Sequence, residues 1–100
     1  MVRDHIPSIC ERNGQIPETK VLDAERYTAA LNEKLQEEVR EYLTCNDLEE
    51  LADILEVVEA LAESQGSALR EVMEIKAKKQ NTNGAFRNRI FLLSVDDGTL

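Results

Sequence analysis

The sequence predicts an all-α chain: a helical hairpin followed by a third helix. Three observations predict it. Apolar residues recur at helical spacing from about Ala24 to Leu43, and again after Asp47 to about Gln65. Capping and stopping residues stand at the ends of these runs, with Asp23 before the first and Gly66 after the second. Only Cys45-Asn46-Asp47 breaks the pattern between them, and so short a connection folds consecutive helices back on one another.

Ahead of the hairpin, Arg3-Asp4-His5-Ile6-Pro7 opens a short helix, since the missing N–H of proline is harmless in a first turn. Ile6, Ile9 and Cys10 form its inward side, and Asn13-Gly14 ends it as a turn. Ile16–Leu22 reads as an extended connector. On the first long helix, at about 100° per residue, Tyr27, Leu31, Leu35 and Tyr42 share one stripe. Glu38 falls in the middle of that stripe, Glu41 at its edge and Glu37 one step further round.

The second long helix separates its acids in the same way. Glu49, Glu56, Glu59 and Glu63 form a solvated strip, whereas Glu50 and Asp53 interleave with Ile54, Val57 and Leu61. Charges belong on the face away from the core, so carboxylates within an apolar sector need a partner. Lys34 and Arg40 are the cations close by in sequence, each beside competing acids. Carboxylate oxygens are the preferred ligands of hard cations, and helix-bundle cores hold such sites. A structural alternative exists for Glu50, which stands three residues after Asp47 as in a capping box.

After Gly66, Ser67 can cap a third helix running to about Lys79, with Leu69, Val72, Met73 and Ile75 as its apolar side. Lys76, Lys78 and Lys79 then crowd its last turn, where positive charge complements the helix dipole. Gln80–Gly84 reads as a loop, Phe86–Val95 as an extended or strand-like tail packed on the bundle or reaching a second subunit, and residues 96–100 as frayed.

One hundred residues make one small domain, divided into an N-terminal segment (1–22), a helical core (23–80) and a tail (81–100). Apolar residues surround most of the second long helix, more than a lone small domain can bury, so a homodimer or higher homo-oligomer is expected. The net charge of −8 opposes binding to a nucleic-acid polymer, though an anionic nucleotide can be bridged by metal ions. Cys10 and Cys45 lack metal-ligand spacing, no signal peptide precedes them, and reduced thiols in a cytoplasmic protein are the expectation. No apolar run approaches the ~18 residues of a membrane span.

The run Glu37-Glu38-Val39-Arg40-Glu41, followed by Glu50-Leu51-Ala52-Asp53, resembles the EExxE…ExxD signature of the all-α nucleoside triphosphate pyrophosphohydrolases, the MazG-like superfamily. The likeness continues at both ends. Val2-Arg3-Asp4-His5-Ile6-Pro7 looks like the VRDKIP opening of a small house-cleaning branch, and Asn83-Gly84-Ala85-Phe86…Arg89-Ile90 is similar to its RGGF…RI ending. His5 stands where that branch has lysine, Asn83 where it has arginine, and the spacer between the acidic motifs is short.

The resemblance implies a helical bundle built across a homo-oligomer. It also implies Mg²⁺-dependent (or Mn²⁺-dependent) hydrolysis of a nucleoside triphosphate between its α and β phosphates. Glu38, Glu41, Glu50 and Asp53 would be the metal ligands, and Glu37 would hold a second ion or take the proton of the attacking water. Arg3, Lys76, Lys79 and Arg89 are the candidate phosphate contacts. For Arg3, a surface ion pair with Asp4 or a neighbouring acid is the competing expectation. Pyrophosphohydrolysis of a phosphoribosyl-nucleotide would use the same acids, and a non-catalytic helical nucleotide-binding or interaction module is the reading without chemistry.

Overall fold

A computed structural model describes residues 1–98 and is helical, with four helices and no strand among them. In chain order these are α1 (Ile6–Arg12), α2 (Ala24–Cys45), α3 (Leu48–Ser64) and α4 (Leu69–Asn83). The chain divides into two compact units, Met1–Leu69 and Arg70–Leu100. No helix among the described residues is long and apolar enough to cross a membrane.

In the first unit α2 and α3 pack against each other as the hairpin that the periodicity predicts. Asp23 caps α2 through a 2.9 Å bond that its carboxylate accepts from the Arg26 N–H, satisfying one of the unpaired amides of the first turn. At the other end α2 runs to Cys45, two residues beyond the expected Leu43, and stops at Asn46. That residue adopts the left-handed conformation (φ 53°, ψ 35°) and donates its N–H to the Tyr42 carbonyl. Asparagine tolerates this region better than other residues with a Cβ, so the turn needs only Asn46 and Asp47. The capping box does not form, since Asp47 makes no side-chain cap bond and Glu50 is left to face α2.

The core of this hairpin is small. Leu31 (4% exposed), Val57 (7%) and Ala62 (7%) are its buried apolar residues, ringed by the half-buried Tyr27, Leu35, Tyr42, Ile54 and Leu61. The predicted stripes therefore do face inward. Val39 and Leu43 on α2, with Leu48, Leu51 and Leu55 on α3, remain exposed. α1 keeps Ile6 and Ile9 more than a third exposed, short of the inward packing expected of them.

Gly66 ends α3 at φ +79°, and Gly66 and Ser67 donate back to the carbonyls of Glu63 and Ala62. In the second unit, α4 continues four residues past the expected Lys79. Its last turn closes where the Gly84 N–H meets the Gln80 carbonyl at 2.8 Å, with Gly84 at φ +84°. Lys76, Lys78 and Lys79 thus lie within the helix and not in its final turn, too far from its end to complement the helix dipole. Among its described residues the tail forms no strand, and Phe86, Ile90, Phe91, Leu92, Leu93 and Val95 are all exposed. Of the terminal stretch expected to fray, Thr99 and Leu100 lie outside the described residues.

Candidate metal centre

α2 presents Glu38 inward because it shares a helical face with Leu31, Leu35 and Tyr42, and the residue is 6% exposed. α3 presents Glu50 and Asp53, three residues apart on the face that also carries Ile54 and Val57, and both are half-buried. Each of Glu38, Glu50 and Asp53 offers a carboxylate oxygen, and the three oxygens lie within 4.8 Å of one another. Oxygens on opposite sides of a bound Mg²⁺ are about 4.2 Å apart, so small side-chain adjustments suffice for one ion to be shared.

The charge of this group is only partly answered by the chain. Lys34 donates to Glu38 Oε1 at 3.1 Å from one turn earlier on α2, and also lies 3.5 Å from Glu37. Arg3, on the segment before α1, donates to Asp53 Oδ1 at 2.6 Å. The second oxygens of Glu38 and Glu50 are buried and have no hydrogen-bond partner. Two orphaned acceptors beside a third carboxylate are what a divalent cation could satisfy, and oxygen-only donors suit Mg²⁺, Mn²⁺ or Ca²⁺ over softer metals.

The electrostatics agree. The Glu50 carboxyl is pushed up to about 7, first by desolvation, then by the charge of Glu41, the close carboxyls of Glu38 and Glu41, and the charge of Asp53. A proton on Glu50 would supply a donor toward Glu38 or Glu41, the relief available within the chain itself. For Lys34, desolvation pulls the ammonium down, but its bonds and attractions to Glu38 and Glu37 outweigh that and hold it above its ordinary value.

Among the remaining sequence candidates, Glu41 neighbours Glu50 but is not one of the three converging residues. Glu37 and Glu41 are exposed and line a shallow cleft of about 430 Å³ together with Arg40, Thr44, Cys45 and Glu50. That cleft opens beside the carboxylate group and offers room for a ligand. Lys76 and Lys79 are exposed on α4, and Arg89 follows it at φ 56°, bordering a separate cleft of about 640 Å³ with Gln80, Asn83 and Phe86. All three belong to the second unit, whereas the carboxylate group is built from the first.

The sequence places Lys34 among the cations nearby, and its (i, i+4) spacing signals the pairing with Glu38; Thr44, on the wall of the cleft, carried no signal. Compared with family models, curated proteins and solved structures, the chain matches none of them.

Proposed function

We propose that this chain is a Mg²⁺-dependent nucleoside triphosphate pyrophosphohydrolase, converting its substrate to a nucleoside monophosphate and pyrophosphate in a house-cleaning role. The observation that carries the reading is the convergence of Glu38, Glu50 and Asp53 with two of their oxygens buried and unpartnered. The likeness of the acidic motifs to the MazG-like signature supplies the reaction class.

Glu38, Glu50 and Asp53 would hold the ion, with Glu41 beside Glu50. When bound, Mg²⁺ or Mn²⁺ neutralises charge on the phosphate oxygens, the principal need of phosphoryl transfer. The adjoining cleft receives the triphosphate, with Arg40 on its wall as a cation for the phosphate oxygens. Glu37, exposed on the same wall, accepts a proton from water as the water oxygen bonds to the α phosphorus. The bond from that phosphorus to the bridging oxygen breaks, and pyrophosphate leaves. The exposed apolar residues of the hairpin would be covered by a second copy in a cytoplasmic homodimer or larger assembly.

The test is a screen for pyrophosphate release across ordinary and damaged (deoxy)nucleoside triphosphates and phosphoribosyl-ATP, with and without Mg²⁺. Release that requires Mg²⁺ and is lost in Glu50→Gln and Asp53→Asn, with helicity retained, is the expected result. No release from any substrate, with no effect of Mg²⁺ on melting, removes the enzyme. The ion pairs Lys34–Glu38 and Arg3–Asp53 favour a second reading, a helical interaction module whose acids are answered from within.

A further inference from the structure

The contact between Arg3 and Asp53 joins residues fifty positions apart, one on the N-terminal segment and one in the carboxylate group. At 2.6 Å it is slightly shorter than the roughly 2.7–2.9 Å usual for a charge-assisted N–H···O bond, yet both side chains are substantially exposed, at 57% and 36%. An exposed pair of this kind is weak and exchangeable. The oxygens around it are not in that position. Glu38 is buried, its Oε2 has no partner, and Glu50 Oε2 is in the same state. The guanidinium therefore satisfies the accessible edge of the group and leaves its buried oxygens unanswered.

We propose that Arg3 is an exchangeable counter-ion: a divalent cation entering between Glu38, Glu50 and Asp53 displaces its guanidinium, which then binds a phosphate group of the incoming ligand. This rests on the metal-centre reading above and assigns Arg3 a ligand-binding role within it. The charges support the order of events. A cation at the buried oxygens takes up Asp53 as well, and the freed guanidinium is repelled by the ion that replaces it. A polyphosphate anion brought to that ion offers the guanidinium the same fork of oxygens that Asp53 gave up. The backbone carries the exchange into α1. The Ile6 N–H donates to the Arg3 carbonyl, and the Ile9 N–H to that of His5, so movement of Arg3 is felt at the start of the helix.

Three measurements on the full chain test this. Calorimetric titration with Mg²⁺ alone compares wild type with Arg3→Gln, and nuclear magnetic resonance follows the Arg3 side-chain N–H. Amide hydrogen exchange follows α1. Mg²⁺ is expected to shift the Arg3 resonance and quicken exchange in α1. Arg3→Gln should bind Mg²⁺ about two- to fivefold more tightly at low salt, the range of an exposed ion pair, with the difference shrinking at high salt. With Mg²⁺ present, inorganic tripolyphosphate should restore protection of α1 in wild type and bind Arg3→Gln more weakly. Mg²⁺ binding that leaves the Arg3 resonance in place overturns the exchange while the metal centre stands. Equal binding of tripolyphosphate by both proteins overturns the phosphate half. If neither protein binds Mg²⁺, the metal centre itself fails and the exchange with it.

Discussion

Glu50 lies where a half-buried carboxyl meets three others, and its proton affinity follows from that crowding. Desolvation comes first and the neighbouring acids second, raising the folded carboxyl from 4.5 to about 7. Between those values the folded state keeps a proton that the unfolded chain has lost, so this residue's contribution to stability falls as pH rises and levels off above about 7. Lys34, with its pKa raised from 10.5, stays charged across that window and does not alter the sign. Metal-free wild type should therefore lose melting temperature relative to Glu50→Gln as pH rises through the window, and Mg²⁺ should narrow the gap. Thermal melts followed by circular dichroism check this, and parallel curves for the two proteins would contradict it. At this scale the sequence disclosed the inward set of acids, because a helix converts spacing into facing. It disclosed Lys34 by the same rule. The Arg3–Asp53 pair was hidden, since no local spacing links residues fifty apart.

The elements are joined by two kinds of stop, and they differ in how well they can be read. Asn46 holds a left-handed conformation that costs most residues roughly 1–2 kcal/mol. Asn46→Ala should lower stability by about 1 kcal/mol while Asn46→Gly preserves it, as measured by urea denaturation. An unchanged midpoint for Asn46→Ala would mean that the tight turn is not needed. The ends of α2 and α3 were legible because a cap residue and Gly66 punctuate them. The end of α4 was not. Gln80, Asn81, Thr82 and Asn83 have the composition of a loop, but none forbids helix. The chain therefore continues until Gly84, with Thr82 bonding back to the Lys78 carbonyl. The apolar composition of the tail predicts packing on the bundle or on a second subunit, yet its side chains are exposed in the single chain, and composition alone names no surface to cover it.

For the whole molecule, the hairpin's buried apolar set of Leu31, Val57 and Ala62 is slight for an independent fold. Charge is divided unevenly as well: residues 1–69 hold sixteen Asp and Glu against six Lys and Arg, while residues 70–100 hold four against six. Sedimentation at micromolar concentration should find wild type as a dimer or larger. Replacing the exposed Leu51 and Leu55 with glutamate should dissociate it, because charge at a bundle face opposes burial. A wild-type monomer would leave those leucines without an occupant. The fold class was open to reading because periodicity and caps are local properties, whereas assembly depends on surfaces that no single chain displays. The brevity of the Asn46-Asp47 turn has a consequence of its own. It works as a ruler: if one added residue were taken up by extending α2 or α3, the later carboxylates would swing by about 100° around the helix axis. Every acid would survive in the sequence while the pocket of oxygens dispersed, so this site is written in a chain length as much as in residue identities.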